Sequence, residues 1–577
     1  MEYSITAKAL RQASRNIPTE SLRHTSKVAI LGYRSTQFLS KYLKQAGRIQ
    51  GIDIEIYEAD YRQVEIEIIH PDSQLYAFQA DFVWVVNSTE YLQNQFLKAS
   101  SPRNFWKKAL QTFESLSHKL SEQYSAQIIF TNFPEVVEDV FGHFGNKTQA
   151  SFLNQLRRLN VGLMDLAETH PQIHIFDLAN LLHATGIEAS FDSTLYINAD
   201  IPYQLDFEAQ IAWKFSSWVL LFKGKVKKCL ILDLDNTLWG GVIGDDGLGG
   251  IQLGGSGPGK AFSELQLWAK ALKERGIILA ICSKNTEEIA KEVFEKHEEM
   301  VLKLEDIAIF MANWENKADN IRHIQKVLNI SFDSMVFLDD NPAERALVKN
   351  ELPQIRIPDL PKDAASYLPY LRKLHLFDTL SFSELDKGRT QQYQEEAKRK
   401  IQEKSFTDMK AYLQSLEMKG KIQPFQDQDI SRIAQLSQRS NQFNLRTIRY
   451  TESEIKRIQK NNNYSDFQIS LEDRFGKYGL ISVLILRAEK DDQLFIETWL
   501  MSCRVLKRGV EKFVLNQVVA QARSIGYQKI IGEYLPTAKN TIVANHYEEL
   551  GFKAIGEGRW ELTFSSYQDL DHFIKTY

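Results

Sequence analysis

Cysteine is scarce: Cys229, Cys282 and Cys503 are the three thiols in 577 residues. A disulfide framework is therefore excluded, and a reducing, cytoplasmic setting is expected. Long apolar runs are missing as well. Residues 211–222 come nearest, but the run is too short for a bilayer and carries Lys214. The N-terminal segment MEYSITAKALRQASRN is polar and holds no apolar signal core. Neither charge sign dominates, with 70 Lys and Arg against 74 Asp and Glu. That balance makes no global case for a nucleic-acid partner, and nothing points to a membrane partner. Internal repeats and low-complexity tracts are also lacking, which excludes a solenoid. What remains is ordinary globular composition, 43% hydrophobic and 25% charged. The length exceeds one core, so about two to four domains are expected.

Strand-length apolar runs alternate with helical patterns from residue 27 to residue 177. The runs are 27–33 (KVAILGY), 52–57, 82–86, 126–131 and 173–177, and the helices 36–46, 105–124 and 149–169. This predicts a doubly wound α/β domain over 1–222. The run 52–57 alternates apolar and acidic residues, as an edge strand does. A second alternation covers 223–378, with strands at 229–232, 277–281, 307–311 and 335–338, and helices at 259–275, 287–294 and 317–328. It predicts a second parallel sheet. Residues 382–404 are strongly charged and read as a connecting helix within 379–408. From 409 to 577 the pattern changes to strands 479–488, 494–501 and 529–532 around a helix at 509–525, an α+β domain.

The chemistry concentrates at strand ends. The run 229–232 leads directly into Asp233-Leu234-Asp235-Asn236-Thr237. Residues i and i+2 of an extended end point the same way, so Asp233 and Asp235 sit side by side. Paired carboxylates are costly without a cation or a protonation difference, and they suit Mg2+-assisted phosphoryl transfer. The strand 277–281 ends in Cys282-Ser283-Lys284-Asn285, where a hydroxyl before a helix can hold a phosphate oxygen. Lys317 opens the next helix and can supply a fixed positive charge. The strand 335–338 ends in Asp339-Asp340-Asn341-Pro342, a source of Mg2+ ligands. Ligands bind at the carboxyl ends of strands in open α/β sheets.

The order and spacing of these segments over 226–375 resemble the haloacid dehalogenase superfamily. With LDLDNTLWGGVIGDDG, CSKN, NWENKADNI and FLDDNP together, the chain resembles the FkbH-like family, over its whole length. The resemblance implies Asp233 as the nucleophile that forms an aspartyl-phosphate. Asp235 would protonate the leaving group and then activate water. Thr237, Ser283, Asn285 and Lys317 would bind the phosphorylated substrate. Mg2+ would lie between Asp233, Asp339 and the backbone carbonyl of Asp235, with Asp340 just outside or bound through water. It also implies transfer of a glyceryl unit from a bisphosphoglycerate-type acyl phosphate to an acyl carrier protein. Such a transfer is helped by a cysteine relay. Cys282 stands beside Ser283 near a helix start, where a thiolate is favoured, or is a small core residue. Cys229 begins a buried strand and reads as structural.

Residues 410–577 resemble the GNAT acyltransferase fold. Met501 to Glu511 join a strand to a helix, a junction whose amides can cradle a pyrophosphate. Arg504 and Gly509 fit the acyl-CoA loop, but Lys507 stands where its first Gly belongs. Arg504, Lys507 and Gly509 would hold acetyl-CoA or the phosphopantetheine arm of a carrier. Tyr547 takes the place of a thiol-protonating tyrosine, or is a core aromatic with Phe552. Cys503 is a second candidate thiol. The N-terminal domain is similar to SGNH hydrolases. Yet Ser35 falls late, Gly-Tyr-Arg replaces Gly-Asp-Ser, no Asp-x-x-His follows, and Asn87 matches weakly, so it reads as non-catalytic. Lys223, Lys225, Lys227 and Lys228 form a basic cluster that would meet an acidic carrier or is simply solvated. Two rival functions stay open: a plain small-molecule phosphatase, and a phosphatase fused to an N-acyltransferase acting on a cell-surface precursor.

Overall fold

The computed structural model describes residues 5–15, 17–18, 22, 24–124, 126–135, 140–380, 382, 391, 394–395, 399, 402, 406, 408–440, 442–490, 492–537 and 539–577. The charged connecting helix expected at 382–404 lies largely outside them. The chain divides into two compact units, Met1–Lys223 and Gly224–Tyr577. Both are multilayered α/β structure.

The first unit is a parallel sheet of β1 (His24–Gly32), β2 (Ile52–Glu58), β3 (Phe82–Val86), β4 (Gln127–Thr131) and β5 (Ile173–Phe176). Its order is β2-β1-β3-β4-β5, with the half-acidic β2 at an edge. Every residue of β3 is buried, as in a parallel sheet covered on both faces. The run 211–222 belongs to the helix Leu205–Phe222, which buries Phe207, Ile211, Phe215 and Val219 against the sheet. Among the described residues, no helix is long and apolar enough to cross a membrane.

The second unit holds two sheets. The first has four parallel strands: β6 (Cys229–Leu232), β7 (Ile278–Ser283), β8 (Ile307–Ala312) and β9 (Met335–Leu338). Their order is β8-β7-β6-β9. The chain therefore steps outward from β6 to β8 and returns to the other side of β6, which makes β6/β9 the switch point where such sheets bind ligands. The second sheet has nine strands. They are β10 (Lys419–Gln423), β11 (Phe443–Asn444), β12 (Tyr464–Asp473), β13 (Gly476–Lys490), β14 (Gln493–Met501), β15 (Lys529–Glu533), β16 (Lys553–Gly556), β17 (Arg559–Thr563) and β18 (Lys575–Thr576). It is largely antiparallel, so the α+β expectation holds. β14 and β15 run parallel, but pair only from Gln493↔Lys529 to Phe495↔Ile531. Beyond that point β11 takes the edge of β14, with Phe443 opposite Met501 and Asn444 opposite Leu500. Leu445 continues the bridge, donating its N–H to the Trp499 carbonyl at 3.2 Å and accepting from the Leu535 N–H at 2.9 Å.

Candidate active site

The site forms where β6, β7 and β9 end. Asp233 extends β6, its N–H donating to the Leu338 carbonyl of β9 at 3.0 Å. The chain then turns sharply, the amides of Thr237 and Leu238 both returning to the Leu234 carbonyl at 3.1 and 2.7 Å. Asn236 holds this turn in the left-handed region at φ 54°. Its Oδ1 accepts the Gly241 N–H at 3.0 Å, so the side chain stabilises the loop that its own backbone bends.

Lys317, the first residue of the helix Lys317–Leu328, lies between two carboxylates. Its Nζ is 2.6 Å from Asp339 Oδ2 and 3.0 Å from Asp233 Oδ1. All three side chains are buried. Burial works against the Lys317 charge, but Asp233 and Asp339 outweigh it and hold the ammonium above its ordinary pKa. Burial raises the pKa of Asp233, against the pull of Lys317 and a hydrogen bond from Ser283. Asp339 is pushed up to about 6 by burial and by the Asp233 charge. Asp340 is raised for the same reasons, burial first and then Asp339. Oxygens of Asp233, Asp339 and Asp340 lie within 4.8 Å of one another. Three carboxylates against one ammonium leave an excess of negative charge, which a hard divalent cation would match. Asp233 Oδ1 is buried and meets the Lys317 ammonium at 3.0 Å with no further hydrogen-bond donor, so a cation can share this oxygen. The residues therefore fit Mg2+.

Asp235 is arranged differently. Its carboxylate accepts hydrogen bonds from Trp239 Nε1 and the Ile243 amide on Oδ1, and from Asn285 Nδ2 on Oδ2, at 2.8, 3.0 and 2.9 Å. Burial still raises its pKa, against the pull of these donors. Thus Asn285, expected to touch substrate, holds Asp235. Thr237, also expected to touch substrate, is fully buried and accepts the Asp340 N–H at 3.2 Å, tying the β6 loop to the β9 loop. Ser283 closes β7 and its side chain hydrogen-bonds Asp233.

Sequence reasoning missed several supporting groups. Trp239 lies inside the motif that marks the family, yet its contact with Asp235 is invisible in one dimension. Arg345 donates to the carbonyls of Asp339 and Asp340 at 2.8 and 2.7 Å, clamping the loop from the first turn of the helix Pro342–Glu351. Its signal was an Arg one turn beyond Asn341-Pro342. Tyr367 donates to the Asn236 carbonyl at 3.3 Å.

Of the two readings of Cys282, relay thiolate or small core residue, the structure matches the core residue. Side chains alternate along a strand, so the neighbour of Ser283 faces away from it. Cys282 is fully buried among Ile321, Phe337 and Val348, and burial pushes its thiol pKa up. Its Sγ lies 3.7 Å from the Lys317 carbonyl oxygen. Cys229 is likewise buried, in β6. The Cys503 side chain lies outside the described residues. The basic cluster is partly neutralised: Lys223 pairs with Asp81 at 3.5 Å and Lys225 with Asp333 at 3.1 Å, while Lys227 donates to the Asp333 carbonyl at 2.6 Å.

In the C-terminal sheet, Gly509 caps the helix Val510–Ser524 at φ 76°, and the exposed Lys507 has φ 62°. Arg504 turns back to Ser502 Oγ at 3.2 Å and to the Tyr478 carbonyl at 3.4 Å. Tyr547 is 1% exposed and donates to the Glu533 carbonyl at 3.3 Å, packed among the core aromatics with Phe552. In the first unit, Ser35 donates its N–H to the Asp200 carbonyl at 3.2 Å. Its neighbour Arg34 is buried and held by Glu208 at 2.5 and 3.2 Å. Asn87 donates to the Thr131 carbonyl at 2.5 Å.

Residues 27–216 match the family model of the FkbH N-terminal domain. A crystal structure of the N-terminal part of protein BF1531 from Bacteroides fragilis, described as containing a phosphatase domain complexed with Mg, is 45% identical to this chain. The match covers 66% of this chain and all of that one, with a TM-score of 0.62. The ribosomal-protein-S18-alanine N-acetyltransferase of Escherichia coli aligns at 15% identity over 27% of this chain and 99% of its own, with a TM-score of 0.21. No curated protein matches the chain. Fold and site together define an enzyme of the haloacid dehalogenase superfamily. Within it, the chain belongs to the FkbH-like family.

Proposed function

We propose that the protein is a Mg2+-dependent phosphatase and glyceryl transferase, which dephosphorylates a phosphoglycerate-type acyl phosphate and loads the glyceryl unit on an acyl carrier protein. The observation that carries the phosphoryl chemistry is the buried Asp233–Lys317–Asp339 group, with Asp340 in reach and Asp235 held apart from it. Asp233 attacks the phosphorus of the substrate's ester phosphate, while the carrier thiol attacks the acyl carbon and expels the acyl phosphate as inorganic phosphate. Asp235 protonates the departing oxygen and later takes a proton from water. Lys317 and Ser283 hold the phosphoryl oxygens and favour the ionised form of Asp233 against its burial. Mg2+ would be held by Asp233, Asp339 and the Asp235 backbone carbonyl, with Asp340 directly or through water. When bound it neutralises charge on the phosphoryl group. With Cys282 in the core, glyceryl transfer proceeds without a relay through that thiol.

In this reading the chain has an N-terminal docking domain (1–222), a catalytic domain (223–378), a connecting segment (379–408) and a GNAT-like domain (409–577). The last presents Arg504, Lys507 and Gly509 to the pantetheine arm of the carrier or to acetyl-CoA, supported by its strand-to-helix junction. The scarce cysteines support a cytoplasmic location. Intact-protein mass spectrometry with Mg2+, 1,3-bisphosphoglycerate and candidate carrier proteins tests the assignment. A glyceryl adduct on a carrier, lost with Asp233→Asn, is expected. Phosphate release that depends on Asp233 but leaves no adduct on any protein would reduce the reading to a small-molecule phosphatase. Calorimetric titration with acetyl-CoA tests the C-terminal domain separately.

A further inference from the structure

A carboxylic acid that protonates a leaving group must carry its proton on one oxygen and aim it in one direction. At Asp235 the surroundings decide which oxygen. Oδ1 accepts two hydrogen bonds, from the Trp239 indole N–H at 2.8 Å and the Ile243 N–H at 3.0 Å. A carboxyl oxygen offers two lone pairs, so Oδ1 is filled. Oδ2 accepts one, from Asn285 Nδ2 at 2.9 Å, and keeps one position open.

The donors are fixed. Trp239 is 0% exposed, with its ring edge-on to Phe294 at 6.1 Å. The adjoining backbone is pinned where Gly240 and Gln252 exchange both hydrogen bonds, at 3.1 and 2.8 Å. Gln266 Nε2 donates to the Leu238 carbonyl at 2.8 Å. Asn285 is oriented by its own Oδ1, which accepts the Thr286 N–H at 3.0 Å.

We infer that Trp239 is a positioning residue that assigns the transferable proton of Asp235 to Oδ2. The inference rests on the reading of Asp235 as the general acid. In the first step an Asp233 oxygen bonds to phosphorus and the bond from phosphorus to the leaving oxygen breaks. The electron pair of that bond takes the proton from Asp235 Oδ2, leaving Asp235 ionised. In the second step Oδ2 takes a proton from water as the water oxygen bonds to phosphorus. The Asp233–phosphorus bond breaks and inorganic phosphate is released. Without the indole N–H, one lone pair of Oδ1 is free, the proton is shared between the oxygens, and the carboxyl loses its fixed orientation.

The test compares an alkyl phosphomonoester, whose alkoxide needs the proton, with p-nitrophenyl phosphate, whose phenolate does not. Trp239→Phe is the direct variant. Because Trp239 is buried, a second replacement by 3-benzothienylalanine, through codon suppression, keeps the bicyclic shape and removes the N–H alone. Both should lose alkyl turnover by about tenfold or more beyond any loss on the aryl substrate, the scale of one hydrogen bond to a charged group. An equal fall on both substrates, or no fall on either, overturns the inference. Asp235→Asn separates the two levels. If it shows no such split, the general-acid reading itself fails. If it shows the split and the Trp239 variants do not, the inference alone fails.

Discussion

Replacing Lys317 with Met is the sharpest perturbation of the site, because one buried ammonium serves two buried carboxylates. At an effective dielectric constant of about 20, its contacts at 2.6 and 3.0 Å correspond to about 6.4 and about 5.5 kcal/mol of attraction. Desolvating the ammonium offsets much of this. Removing one member of a buried ionic group nevertheless costs about 3–5 kcal/mol, since the remaining charges are left without a counter-ion. In metal-free buffer, Lys317→Met should therefore lose about 3–5 kcal/mol of unfolding free energy, read by denaturant titration. Asp339→Asn removes one of the stranded charges, so the double variant should be more stable than the sum of the single losses predicts, by about 1 kcal/mol or more. Mg2+ should stabilise Lys317→Met more than wild type, because it replaces the missing positive charge. Phosphatase turnover should fall by about 10²–10³. A loss below about 1 kcal/mol in metal-free buffer, or strict additivity with Asp339→Asn, would refute the shared-cation account.

Three further outcomes are expected. Cys282→Ala should retain phosphatase turnover within about twofold and cost about 1–2 kcal/mol through the small cavity it leaves, measured by thermal unfolding alongside activity. Chelation with EDTA should abolish turnover and lower the unfolding midpoint, and Mg2+ should restore both; a midpoint indifferent to EDTA counts against the acidic cluster as a Mg2+ site. Burial lowers His546 from 6.5 to about 3. Above pH 6.5 its imidazole is neutral whether the chain is folded or not, and that stability is fully present. As pH falls from 6.5 toward 3, the unfolded chain takes up a proton that the folded chain refuses, so stability should drop by about 1.4 kcal/mol per pH unit. His546→Phe should flatten that slope in denaturant titrations across the range.

How much of this was legible in one dimension depended on the range of the interaction. The run 229–232 is a strand with those same ends, because an all-apolar run bounded by Asp233 and a turn has one place to go in a parallel sheet. The site residues at strand ends follow from the same logic, since strand ends and switch points are set by topology, and topology by the alternation of patterns. Cys282 left two readings open in one dimension, and period-two alternation, which sets it on the face opposite Ser283, is what separates them. Trp239 marks a limit of another kind. A buried tryptophan four residues after Asp235 has no periodic signature, and its indole N–H reaches the carboxylate only because Asn236 bends the chain through a left-handed turn. β11 lies further still from local reasoning. Two residues pair with a strand more than fifty positions away, filling the gap where β14 and β15 part. The strand-to-helix junction from Met501 to Glu511 is readable from sequence, whereas the partner that closes the β14 edge beyond Phe495 is fixed only by a contact between residues more than fifty positions apart.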